Sequence, residues 1–108
     1  MAQVEVVRGN GSIVIADTEK RTLTYQRYHV RFTPLEWRIL VALYEARPNV
    51  VSRDSLVDLI WGGEKREFPT RTIDVHISSI RKKIAYIKGA RIDSVYGRGY
   101  RLLMLTRF

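Results

Sequence analysis

Apolar residues recur along this chain in three rhythms. From residue 3 to residue 32 they come in short β-branched or aromatic runs, QVEVV, SIVIA, TLTY and YHVRF, separated by RGNGS and DTEK. Runs of this kind between turn-forming residues predict short strands, and their close spacing predicts an antiparallel meander. At TPLE the rhythm changes. Thr33 can cap a helix, Pro34 fits its first position, and Glu36 can reach back to close a capping box. Leu35, Ile39, Leu40, Leu43 and Tyr44 then recur at core spacing as far as Pro48, which predicts a helix over residues 34–46. A second helix, over 53–61, opens with Ser52 as its cap, buries Leu56, Leu59 and Ile60, and stops at Gly62-Gly63. After the polar loop GGEKREFPT a third is predicted over 71–87, and RIDSVYGRGYRLLML reads as a hairpin over 91–105 around Gly97-Arg98-Gly99.

The third helix, RTIDVHISSIRKKI, is the most sharply divided. With Ile73 set at 0° and each residue advancing by about 100°, Ile77, Ile80 and Ile84 fall within about 40° of it. Arg71, Val75, Ser78 and Lys82 fall between about 140° and 200°, and Ser79 at about 240°. One edge is a narrow apolar stripe for the core. The opposite face carries one small apolar side chain, hydroxyls and cations. A helix that is merely solvated normally mixes both signs, and here Asp74 is the single acid.

Charge sharpens this. The 108 residues carry a formal net charge of +8, unevenly placed. Residues 1–65 hold nine Lys and Arg against eight Asp and Glu, whereas residues 66–108 hold ten against three. A concentrated positive field favours a polyanionic partner. The length and the 45% hydrophobic content suit one soluble domain spanning 1–108. No cysteine is present, so disulfides and thiolate chemistry are excluded. The opening MAQVEVVRGN lacks the apolar run of a signal peptide, no run approaches a membrane span, and a cytoplasmic location is expected. His29 and His76 lie in different elements without a carboxylate cluster, so neither a metal site nor a catalytic triad is expected. Gly97-x-Gly99 lies between strands, where a dinucleotide-binding loop would need a strand leading into a helix. The chain reads as a non-enzyme with no cofactor.

A helix of about 10–12 Å diameter fits the major groove of B-DNA. Val75 suits a thymine methyl, Ser78 and Ser79 can donate or accept, and Arg71 and Lys82 can meet phosphates or guanine. Arg98, at the tip of the hairpin, either enters a neighbouring minor groove or makes a loose phosphate contact. A third helix followed by a basic hairpin describes a winged helix-turn-helix.

In this order, FTPLEWRIL, VVSRDSLVDLIWG, RTIDVHISSIRKKI and SVYGRGYRL resemble the C-terminal DNA-binding domain of OmpR/PhoB-type response regulators over nearly the whole chain. The resemblance implies an α+β winged helix-turn-helix with an N-terminal antiparallel four-stranded sheet, three helices and a C-terminal β-hairpin wing. It implies sequence-specific binding of double-stranded DNA in a bacterial transcription regulator of two-component type, with head-to-tail dimers on direct repeats and a receiver domain as partner in a full-length protein. By position it assigns phosphate anchoring to Arg53, Trp61 and Arg71, with Trp61 alternatively a core plug. It places Thr72, His76 and Arg81 at backbone-contact or helix-positioning sites, with His76 near the core edge, and Val75, Ser78 and Ser79 facing bases. Many members carry arginine at Ser78 or Ser79. In the wing, Tyr96 stands where arginine is common and Arg98 where a neutral residue is common, so the charge is displaced two residues along the hairpin. The loop 62–70 resembles one that some members use to touch RNA polymerase, and it reads equally as a plain connector. Two other classes compete. A protein-docking or RNA-binding winged helix would show large apolar anchors on the third helix, and a membrane-surface module would join a broad apolar face to a basic one. Neither pattern is seen.

Overall fold

The computed structural model describes residues 3–7, 13–61 and 71–104, and for 3–7, 61 and 71 the backbone only. Strands β1 (Gln3–Val7), β2 (Ile13–Asp17), β3 (Thr22–Tyr25) and β4 (Tyr28–Arg31) pair in chain order, each antiparallel to the next. The turn after β2 is held by Asp17, whose carboxylate accepts from the backbone N–H of Glu19 and Lys20 at 3.0 and 3.1 Å. Short polar side chains make such turns because they substitute for a backbone acceptor. Val14 and Tyr25 are buried from this sheet, while Tyr28, His29 and Arg31 of β4 are exposed. The RGNGS turn lies outside the described residues.

Helix α1 (Pro34–Ala46) starts as expected. Thr33 Oγ1 accepts from Glu36 N at 3.2 Å, and Glu36 Oε1 accepts from Thr33 N at 2.8 Å, closing the capping box. Ile39, Leu40 and Leu43 are buried, and Leu35 and Tyr44 pack at the edge of the core. Helix α2 (Arg53–Trp61) is capped by Ser52, whose hydroxyl accepts from Ser55 N at 3.0 Å. Leu56 and Ile60 are buried, but Leu59, expected in the core, is 47% exposed. The buried arc of α2 is rotated towards Val57, which packs on the core and lies about 100° from Leu56 on the opposite side from Leu59.

Helix α3 (Arg71–Ile84) buries Ile73, Ile77, Ile80 and Ile84, the stripe read from periodicity. It ends at Ile84, three residues short of the expected 87. The chain there enters tight turns: Ile87 N donates to Ile84 O and Ala90 N to Ile87 O, with Gly89 at φ 87°. These turns drive Ile87 into the core, and Gly89 supplies the left-handed backbone that a continued helix would exclude. The wing consists of β5 (Ala90–Val95) and β6 (Gly99–Met104), paired antiparallel from Ala90↔Met104 to Val95↔Gly99. Residues 105–108 lie outside the described residues, so the wing's expected end at 105 does too.

The wing is anchored by more than its own pairing. Val51 and Tyr100 exchange two backbone hydrogen bonds, Val51 N to Tyr100 O at 2.8 Å and Tyr100 N to Val51 O at 3.0 Å. The segment entering α2 therefore runs beside β6. Gly99 makes this approach possible, since a Cβ there would lie 2.1 Å from Val51 O. The result is an α+β winged-helix fold in which the start of α2, the whole of α3 and the wing adjoin one another.

Candidate nucleic-acid interface

The outward face of α3 is set by what its other sides hold. On one flank, at about 80–100° from Ile73, lie Asp74 and Arg81. Arg81 donates through Nε and Nη2 to Ile92 O at 3.1 and 2.8 Å, and through Nη2 to Ser94 Oγ at 2.8 Å. Asp74 Oδ1 accepts from Arg53 Nε at 2.9 Å and from the Tyr100 hydroxyl. This flank ties α3 to the wing and to the start of α2.

On the other flank, at about 240–280°, lie Ser79 and Lys83. The Ser79 hydroxyl donates to Glu36 Oε2, and Lys83 Nζ donates to Glu36 Oε1 at 2.6 Å. Glu36, 3% exposed, thus serves its own capping box and grips α3. Desolvation pushes its pKa up, but the hydrogen bonds from Lys83, Ser79 and Thr33 and the Lys83 charge outweigh it, and the carboxyl is lowered to about 2. The ionised Glu36 is therefore a fixed part of the fold at neutral pH.

Between these flanks stand Val75, 60% exposed, together with exposed Ser78 and Lys82. Thr72 and His76 are half-buried at the side of α3 nearer Ser79. At the tip of the wing Tyr96 is fully exposed and Arg98 is exposed, in a turn closed by Arg98 N donating to Val95 O at 2.9 Å. Arg53 is half-exposed beside Tyr100, with its guanidinium carbon 5.6 Å from the ring centroid. The Tyr100 hydroxyl and the Asp74 carboxylate raise its pKa further above its already high value. Burial, and then the hydrogen bond to Asp74, push the Tyr100 phenol up.

Two of the expected site residues are engaged within the fold. The Ser79 hydroxyl, expected to face bases, is turned to Glu36, and the residue is half-buried. Arg81 donates to the carbonyl of Ile92 and to Ser94 and so ties α3 to the wing, a geometry that suits the helix-positioning one of its two expected roles. The side chains of Trp61 and Arg71 and the loop 62–70 lie outside the described residues. Glu36 was read from sequence only as a cap. Its second role was signalled weakly, by Ser79 and Lys83 four residues apart beside the isoleucine stripe.

An apolar cavity of about 240 Å³ lies elsewhere, among Val14, Leu23, Trp37, Leu40, Ile84 and Leu102, and none of Val75, Ser78 and Lys82 lines it. Among the described residues no group of three or more His, Cys, Asp or Glu is gathered as a metal site would require. No described helix is long and apolar enough to cross a membrane.

A winged helix with a divided third helix, a capped first helix and a hairpin docked on the second defines a class of effector domain. Residues 26–102 match the family described as "Transcriptional regulatory protein, C terminal". The chain belongs to that family, the C-terminal domains of OmpR/PhoB-type response regulators. It is 38% identical over 90 residues to the transcriptional regulatory protein CseB of Streptomyces avermitilis, covering 80% of this chain and 35% of that protein. It is 32% identical over 97 residues to the response regulator ArlR of Staphylococcus epidermidis, covering 89% of this chain and 43% of the other. Among solved structures it is similar to the C-terminal domain of the nisin resistance regulator NsrR, with a TM-score of 0.67 and 33% identity, over 79% of this chain and 86% of that one. The DNA-binding domain of Escherichia coli CadC shares the fold at 19% identity, with a TM-score of 0.74 over 97% of this chain and 94% of that one. The chain spans about a third of the length of the first curated relatives it matches.

Proposed function

We propose that this chain binds double-stranded DNA sequence-specifically as the effector part of a bacterial transcription regulator. One observation carries the reading. The arc of α3 opposite its buried stripe presents Val75, Ser78 and Lys82, while both flanks are committed to neighbouring elements. A rigidly held helix with a small apolar group, a hydroxyl and a cation outward is what a major groove accepts. Val75 meets a thymine methyl and Ser78 a base edge. Arg53, Arg71 and Lys82 contact phosphates, with Trp61, Thr72 and His76 beside them. Arg98, flanked by Tyr96, lies at the minor groove. The N-terminal sheet of four strands and α1 support this surface without entering it. In the same reading the domain works in the cytoplasm on direct-repeat sites as head-to-tail pairs. A receiver domain is its partner in a full-length protein, and the loop 62–70 is either a contact for RNA polymerase or a plain connector.

The test is electrostatic. If Arg53, Arg71, Lys82 and Arg98 each neutralise a phosphate, roughly four to six counterions are released per domain, and affinity for a duplex recovered from random-sequence selection falls with salt at a log–log slope of about −3.5 to −5.5. A flat salt response, or equal affinity for RNA and DNA duplexes of that sequence, refutes the reading.

A further inference from the structure

Asp74 receives two donors on one oxygen. Arg53 Nε reaches its Oδ1 at 2.9 Å, and the Tyr100 hydroxyl reaches the same atom at 2.5 Å. These three residues come from α2, α3 and β6. Tyr100 is 5% exposed, and its backbone is fixed by the pair of hydrogen bonds to Val51, two residues before Arg53. Its ring has the Arg53 guanidinium carbon at 5.6 Å and that of Arg81 also at 5.6 Å. Arg81 is itself held by Ile92 and Ser94. The Asp74 contact engages Arg53 at Nε, on the inner edge of a half-exposed side chain. The Tyr100 hydroxyl also bears on the guanidinium and raises its pKa, while about half of the side chain stays exposed.

We infer that Tyr100 is a positioning residue for DNA binding: its hydroxyl fixes the Asp74 carboxylate, which orients Arg53 so that its Nη groups face a backbone phosphate. The inference rests on the DNA-binding reading above. An arginine at the first position of a helix otherwise samples many rotamers, and binding a phosphate must then restrict it. Here the restriction exists before DNA arrives, because Nε and the ring face of the guanidinium are already engaged. Wing and recognition helix meet at the same carboxylate, so displacement of β6 also releases Arg53.

Tyr100→Phe is the informative variant because it removes one hydroxyl, keeps the ring and changes no charge. Its affinity for a selected duplex is compared with that of the wild type, Arg53→Ala and the double variant, alongside the thermal midpoint of each. Tyr100→Phe is expected to weaken binding about threefold to tenfold, the scale of losing one immobilised long side chain. In the Arg53→Ala background it is expected to cost nothing further, because there is no guanidinium left to orient. Undiminished loss in that background means Tyr100 acts on the fold generally and overturns the inference, as does wild-type affinity for Tyr100→Phe. Failure of selection to recover any duplex for the wild-type protein refutes the DNA-binding reading itself, and the inference falls with it. A drop in thermal midpoint shared equally by Tyr100→Phe in both backgrounds, with the affinity losses still non-additive, supports positioning over a merely structural role.

Discussion

Glu36→Gln tests the junction that holds α3 to α1. The Glu36 carboxylate accepts from Thr33 N, Ser79 Oγ and Lys83 Nζ, and the residue is 3% exposed. Its pKa falls from 4.5 to about 2 in the folded protein. Because the folded value is the lower one, the ionised carboxylate contributes stability that is complete above about pH 5 and is lost as pH falls through 4.5 towards 2. A shift of this size corresponds to about 3 kcal/mol at neutral pH, about 2 at pH 3.5 and about 1 at pH 2.5. Glutamine retains one carbonyl acceptor but leaves the half-buried Lys83 ammonium without its counter-charge, so a loss near 3 kcal/mol is expected. In a domain of this length that lowers the thermal midpoint by about 10–15 °C. Urea unfolding of both proteins between pH 7 and pH 2.5 measures the difference directly. The gap between wild type and variant should shrink steadily as pH falls. A gap that is constant with pH, or one below about 0.5 kcal/mol at pH 7, refutes the assignment of the α1–α3 junction to this carboxylate.

Three further outcomes are expected. Val75→Asp should abolish specific duplex binding with an unchanged circular dichroism spectrum, whereas Ile77→Asp, at a fully buried position, should unfold the protein; equal melting of both would mean the helix is wrongly oriented. Gly99→Ala forces a Cβ to within 2.1 Å of Val51 O at a φ of 144°, so it should lift β6 from the entry to α2 and lower the thermal midpoint by several degrees, and an unchanged midpoint contradicts the docking. Arg98→Ala should cost about 1–3 kcal/mol on sites with A·T flanks and less on G·C flanks if the side chain enters a narrow minor groove, and equal losses on both flanks would leave the wing only a phosphate anchor.

Much of the fold is legible along the chain because the signals are local. A capping box spans three residues, and Thr33 and Glu36 make it as their spacing implies. The isoleucine stripe of α3 needs only the pitch of a helix, so Ile73, Ile77, Ile80 and Ile84 can be assigned to the core, and Val75 to the surface, before any neighbour is known. Periodicity assigns an angle, however, and not the element that fills it. Leu59 has a plausible core angle but lies outside the arc that α2 turns inward, which depends on how α2 packs against its neighbours. The end of α3 depended on Ile87 being drawn into the core through turns that helical spacing does not announce.

The same limit governs the candidate site. Ser78 and Ser79 are chemically identical neighbours, and the carboxylate contributed by α1, 43 residues earlier, separates an exposed hydroxyl from a structural one. Arg81 and Lys82 are both cations, yet the carbonyl of Ile92 takes the first while the second stays exposed. Asp74 pairs with an arginine 21 residues away and a tyrosine 26 residues away. Helical pitch and capping follow from covalent geometry over a few residues and are therefore written in the chain. Which polar side chain is consumed by the fold, and which remains for a ligand, is a competition between partners distant in sequence. That competition is decided only once α1, α3 and the wing have packed together.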